Sequence, residues 1–332
     1  MGGRSTKRNR WIVIVLCLVV VAATSCVERL GALPGDTRSV GTAINDDGTI
    51  VGSSKVGTSG SHAFRARRYH DPEALALPPD HTYSEGRAIN AGGTAAGQSC
   101  TPAFDHCRAV TWSPDNTVTV LPEFARSEDA EDVNTAGVVV GTTYHGSGDP
   151  PVDGFPAESN ARPYVWSPGD AQLTLLPVPS ACHDGWAYAV NDAGQATGYL
   201  NGCDDHTFHV VRWDVNAKTV VDLGPGYGRD INASGVIAGS YYNIAAIWEP
   251  GHADPTLLGE LLQDSQGGMG INDAGVVVGY QQDLPNPDSQ IFRWTAATGI
   301  EIVRTPRQHA VSGINNHGVL VGSSPTSAVR IS

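Results

Sequence analysis

Five consecutive residues, Glu128-Asp129-Ala130-Glu131-Asp132, carry four carboxyl groups. Carboxylates at that density hold a cation or a cationic ligand when they converge, and form a solvated acidic loop when they do not. Glu128, Asp129 and Asp132 are the candidate cation ligands. A second set is Arg87, Glu131, Tyr188 and Arg229, each three residues before an Asn in a recurring stretch of sequence. In the other copies of that stretch the position holds Thr42, Met269 and Ser312. Polar groups of both charges converging on one pocket are the usual frame of a ligand site. The alternation of a strand would equally turn them between neighbouring units, where they pack or pair. Cys100, Cys107, Cys182 and Cys203 lack the paired C-x2-C spacing of a zinc site, so disulfides are expected rather than a metal, and no cofactor. His206 and His209 are three apart, which on a strand places them on opposite sides. There is no G-x-S-x-G elbow, H-E-x-x-H helix or phosphate-binding loop. The chemistry on offer favours binding over catalysis.

The elements that must position these residues are written as a repeat. Seven stretches align without gaps, beginning at Ala43, Ala88, Asp132, Ala189, Asp230, Gly270 and Gly313, at spacings of 45, 44, 57, 41, 40 and 43 residues. Each contains N-x-x-G: Asn, two turn-forming residues and a Gly, the signature of a tight hairpin. Four residues after that Gly stands another, Gly52, Gly97, Gly141, Gly198, Gly239, Gly279 and Gly322, which inside a strand marks close backbone approach. A loop follows, then an apolar strand ending in Trp112, Trp166, Trp213, Trp248 and Trp294 in five copies. A short strand rich in Leu and Val completes the unit, as in Val118–Leu121 and Val220–Leu223. Four antiparallel strands in about 40–45 residues is the size of one propeller blade.

The termini predict closure. The chain stops after a third-type strand, Ser327–Ser332, and a fourth-type strand opens the domain at Leu30–Pro34. Shared between the ends, they would fasten a ring and remove an exposed edge. The expected fold is all-β: a seven-bladed β-propeller of four-stranded antiparallel blades, closed by pairing of its first and last strands, occupying residues 27–332 as a single domain. An antiparallel hairpin centred between Asp192 and Ala193 sets Cys182 opposite Cys203, and Cys100 with Cys107 closes a short loop, so these two disulfides are predicted. The longest insertion, Thr143–Pro163, accounts for the 57-residue spacing.

The repeat [AG]-[IV]-N-x-x-G-x-x-x-G, followed in the first copy by His62-Ala63-Phe64, resembles the HAF repeat of predicted extracellular bacterial proteins. The resemblance covers essentially the whole chain after its leader. It implies an exported repeat protein and brings no catalytic residue. The later copies read RAV, PYV, HVV, AAI, QIF and SAV at the HAF position.

The leader is residues 1–25. Arg4, Lys7, Arg8 and Arg10 precede an apolar run from Trp11 to Ala23, too short for a bilayer span and of the length of a secretory signal. Ala22-Ala23-Thr24-Ser25-Cys26 resembles the lipobox of bacterial lipoproteins, with Ala23 where Leu is usual. Cys26 would then be the lipidated first residue, and the four remaining cysteines pair. Losing the leader takes the net charge from −13 to −17. That argues against a nucleic-acid partner, which needs a basic face. The expected protein is a monomer held to a membrane by an N-terminal lipid, in the cell envelope or outside the cell. Its expected role is to bind a protein, peptide or glycan; the alternative is an extracytoplasmic glycan hydrolase or lyase.

Overall fold

The computed structural model describes residues 25–55, 60–104, 106–145, 160–259, 269–282, 289–305 and 309–332. The leader through Thr24 and most of the long insertion, residues 146–159, lie outside the described residues. Those described form 28 strands and no helix.

The strands fall into five separate four-stranded antiparallel sheets and one eight-stranded sheet. The eight-stranded sheet is two antiparallel halves touching through a single parallel bridge, Ser127 to Cys107. The second repeat's strands Tyr83–Ile89, Ala95–Cys100, Cys107–Trp112 and Val118–Val120 pair in chain order. The other repeats follow the same meander. In the last sheet, Val27–Gly31 joins from the N-terminus and pairs antiparallel with Ala328–Ile331. This strand lies about three residues earlier than the sequence predicts. Gly31, at φ +77°, ends it, and the chain then turns so that Leu30 and Leu33 enter the core.

Among the described residues no sheet closes on itself; apolar packing joins sheet to sheet. Val51, Ala63 and Leu75 of the first repeat pack on Ile89, Val110 and Trp112 of the second. Val278 and Ile291 of the sixth pack on Leu320 and Val329 of the seventh. Val321 and Ala328 of the seventh pack back on Ile44, Ile50 and Phe64 of the first. Trp112, Trp213 and Trp248 are fully buried. The Trp112 and Trp213 indoles donate to carbonyls of the preceding repeat, Ala76 at 2.7 Å and Pro177 at 2.8 Å.

The hairpin turns form as N-x-x-G requires. The Gly of each turn has positive φ, from +75° at Gly275 to +83° at Gly93, a conformation open to Gly at little cost. The Asn does more than turn the chain. Its side-chain oxygen accepts the N–H four residues on, as Asn45 does from Thr49 at 2.9 Å. Its amide donates to the backbone carbonyl of the corresponding Asn in the next repeat. The series runs Asn45 to Asn90, Asn134, Asn191, Asn232, Asn272 and Asn315, and Asn315 donates back to Asn45 at 3.0 Å. All seven are buried. The hydrogen-bonded series returns to its starting residue after passing through every repeat.

Both predicted disulfides form, Cys100–Cys107 and Cys182–Cys203. Cys26 is also disulfide-bonded.

Candidate functional site

The first strand of the repeat carries a β-bulge. In the second repeat Gly86 pairs with Gly97 and Ala88 with Ala96, so Arg87 has no partner across the ladder. The same slip brackets Thr42, Glu131, Tyr188, Arg229 and Ser312. An extra residue in one strand bends it and re-aims the side chain. The Gly facing the bulge is required there. A Cβ on Gly97 would lie 1.9 Å from the Glu85 carbonyl oxygen, and one on Gly198 1.8 Å from that of Trp186. Six of the seven such glycines meet a carbonyl this way; a Cβ on Gly279 meets the Phe292 ring instead.

The bulges bring the predicted set together. Arg87, Glu131, Tyr188 and Arg229 line one cavity of about 210 Å3, together with Thr42, Met269 and Ser312. They do so as two neighbouring pairs. Arg87 Nη1 donates to Glu131 Oε1 at 2.5 Å, and its Nη2 lies 3.7 Å from Asp129. The Arg229 guanidinium lies over the Tyr188 ring at 4.9 Å.

The acidic run divides. Asp129 and Glu131 are two apart and share a face. Asp129 is buried and accepts from the Thr142 N–H at 3.1 Å and the Tyr144 hydroxyl at 3.0 Å. Burial, and then the charge of Asp129, pushes the Glu131 carboxyl up to about 7. Burial also raises the Asp129 carboxyl, against the pull of Arg87. Burial works to lower the Arg87 pKa, but Glu131 and Asp129 outweigh it and raise it.

Glu128, adjacent to Asp129, faces the other way. It is fully buried, accepts the N–H groups of Phe124 and Ala125 at 3.0 and 2.6 Å, and pairs with Arg108 Nε at 3.1 Å. Asp132 lies beyond the bulge and clasps two repeats, accepting from the Val133 and Val190 N–H groups, each at 2.8 Å. Glu128, Asp129 and Asp132 therefore do not assemble as the expected cation ligands. Alternation separates the first two, and the bulge carries the third away. Among the described residues, one group of three has ligand atoms within 4.8 Å of one another: Cys182, Cys203 and His209. Two of its members are spent on a disulfide. His209 is held at Nδ1 by Asp222 at 2.8 Å and at Nε2 by Asp205 at 2.9 Å. Burial lowers its pKa, but these carboxylates outweigh burial and raise it.

Sequence reasoning missed two features near the cavity. One is an aromatic wall beside Tyr188. Trp186 stacks on Tyr199 with ring centroids 4.7 Å apart and planes 14° from parallel. Tyr199 meets Tyr227 edge-on at 5.0 Å, and Tyr227 contacts the exposed Phe208 at 4.7 Å. Trp186 and Tyr227 stand five residues before the repeat Asn, two before Tyr188 and Arg229, so period-two reasoning could have placed them on the same face. The other is Asp230, which joins the fifth repeat to the sixth as Asp132 joins the third to the fourth. Burial pushes Asp132 up to about 7 and Asp230 up to about 6. Both also line a second cavity of about 250 Å3 at the hairpin-turn end of the same axis, where Asp46, Asp192 and Asp273 stand.

No family model matches the chain, and no curated protein matches it. Solved structures do. Virginiamycin B lyase from Staphylococcus aureus superposes with a TM-score of 0.61 at 9 % identity, over 92 % of this chain and 98 % of that one. The β-propeller domain of the Trilobed protease from Pyrococcus furiosus, described as having an open velcro topology, gives 0.59 at 8 % identity over 88 % and 94 %. An acylaminoacyl peptidase gives 0.61 at 9 % identity over 89 % of this chain and 51 % of that one. At such identities the likeness is one of fold: the chain is all-β and propeller-like.

Proposed function

We propose that the seven repeats are blades of a closed β-propeller, exported and anchored by lipid at Cys26, whose channel mouth binds a ligand. The protein is a binding module for a glycan, peptide or protein. The observation that carries this reading is the convergence of Arg87, Glu131, Tyr188 and Arg229 on one cavity beside an aromatic wall. Bulges in six of the seven repeats present the most variable position of the repeat at that cavity. A uniform scaffold with varied side chains at one mouth is how a propeller builds a selective site.

Ring closure is supported by the cyclic Asn series and by the pairing of Val27–Gly31 with Ala328–Ile331. Export is supported by two disulfides, which persist in oxidising compartments. Lipidation of Cys26 and its disulfide exclude each other, because the thioether uses the same sulfur; the anchored form has lost that bond.

The alternative, a glycan hydrolase, is disfavoured by the same cavity. Retaining enzymes hold their two carboxyl groups about 5–5.5 Å apart and inverting ones further. Asp129 and Glu131 instead both lie against Arg87, whose Nη1 is 2.5 Å from Glu131 and whose Nη2 is 3.7 Å from Asp129.

Applying residues 26–332 to glycan and peptide arrays tests the reading, with Trp186→Ala and Tyr188→Ala alongside. A ligand should appear whose binding falls at least tenfold in either variant. Silence on both arrays, or a ligand that both variants hold as the parent does, overturns the proposal.

A further inference from the structure

The inner arginines of this protein are nearly all committed. Arg87, Arg108 and Arg330 pair with Glu131, Glu128 and Glu28. Arg65 donates to the carbonyls of Gly93, Trp112, Ser113 and Pro114, Arg212 to that of Gly235, and Arg293 to that of Gly318. Arg229 differs. Among the described residues it has no hydrogen-bond acceptor and no ion-pair partner. The adjacent Asp230 is spent on the N–H groups of Ile231 and Ile271. What surrounds Arg229 is aromatic: Tyr188 at 4.9 Å and Tyr227 at 5.7 Å from its central carbon.

Rings over the face of a guanidinium hold it in place and strip water from its faces, while its N–H edge stays available. That edge is a fork of donors matched to a planar, bidentate acceptor, above all a carboxylate. Tyr188 lines the cavity with Arg229, and its ring continues into a cluster in which Tyr199 contacts Tyr188 at 5.6 Å, Trp186 at 4.7 Å and Phe208 at 5.6 Å. The cavity of about 210 Å3 lies below the usual range for ligand pockets, roughly 300–1,000 Å3, so it takes one ring and not an extended chain. A net charge of −17 on the leaderless chain repels a polyanion but admits a ligand with a single negative charge.

We infer that Arg229 and this aromatic wall form a subsite for a sugar acid: a uronate-type terminal ring, its carboxylate on Arg229 and its C–H face against the aromatic rings. Glu131 and Arg87 line the same cavity, where ring hydroxyls need partners. A peptide C-terminus would satisfy Arg229 but offers a ring face only when its last residue is aromatic or proline. The inference rests on the channel-mouth reading above and specifies its ligand.

Calorimetric titration of residues 26–332 with methyl glucuronide, methyl glucoside, acetate and a short peptide with a free C-terminus tests it. The glucuronide should bind at least tenfold more tightly than the other three. Arg229→Gln should remove that preference, with its fold checked by circular dichroism. Should Arg229→Gln fail to fold, the comparison of glucuronide with glucoside on the parent chain decides alone. Equal binding of glucoside and glucuronide, an unchanged preference in folded Arg229→Gln, a peptide preferred over the glucuronide, or no binding of any probe overturns the inference. A neutral glycan that binds and is lost in Trp186→Ala would overturn the sugar-acid assignment while leaving the channel-mouth reading intact.

Discussion

Asn191 shows what one residue does in this repeat. Its side-chain oxygen accepts the N–H groups of Ala193 and Gln195, at 3.1 and 2.9 Å, and its amide donates to the Asn232 carbonyl at 3.0 Å. The side chain thus builds its own turn and fastens the next repeat. Buried and satisfied, it can be removed only by leaving donors and an acceptor without partners, each costing about 1–3 kcal/mol. Asn191→Ala should therefore lose about 3 kcal/mol of unfolding free energy in urea denaturation, well beyond the ~0.5 kcal/mol typical of a surface change. A loss within that surface range would mean the Asn series contributes geometry but little energy. The turn role of this Asn was legible from N-x-x-G. The second role was not, because it depends on the carbonyl of a residue 41 positions away. The aromatic wall was half-legible: Trp186 and Tyr227 lie in register with Tyr188 and Arg229, but Phe208 arrives from a loop.

At the scale of the element, the bulge governs the site. Period-two alternation leaves the side chain three before each Asn either in the channel or between neighbouring units. One extra residue in the strand breaks that alternation and sends it into the cavity. The bulge in turn needs the facing Gly, since the carbonyl five residues before the Asn occupies the space of a Cβ. The spacing of those glycines was visible in the sequence, and close backbone approach was the correct reading of it. The bulge itself was not visible, because a bulged and an unbulged strand share the same apolar pattern. Gly198→Ala should accordingly cost about 3 kcal/mol, toward the upper end for single substitutions. It should also alter ligand binding, since it must displace the Trp186 backbone. Unchanged denaturation and binding would show that the strand relaxes without using the bulge. The disulfides belong to this scale too: hairpin symmetry about Asp192-Ala193 predicted Cys182–Cys203, and the ladder pairing of Asp184 with Asn201 carries the strands up to it.

For the whole molecule, the repeat made an all-β, propeller-like fold legible, and the strand left over at each end pointed to a shared sheet. The ends of that sheet are adjacent: Cys26 N–H donates to the Ser332 carbonyl at 2.9 Å, and Ser332 N–H to the Cys26 carbonyl at 3.0 Å. If the repeats form a closed ring, the position of the chain break is incidental, and chains with adjacent termini tolerate permutation. The most direct test is a permutant of residues 26–332. Ser332 is joined to Cys26 by a short turn, and the chain is reopened between the exposed His70 and Asp71. The measurement is thermal unfolding beside the parent protein. The closed ring predicts a cooperatively folded permutant with a Tm within a few degrees of the parent, because no core or Asn contact is lost. An unfolded permutant, or one melting in separate steps, would contradict closure and with it the channel around which the binding site is built.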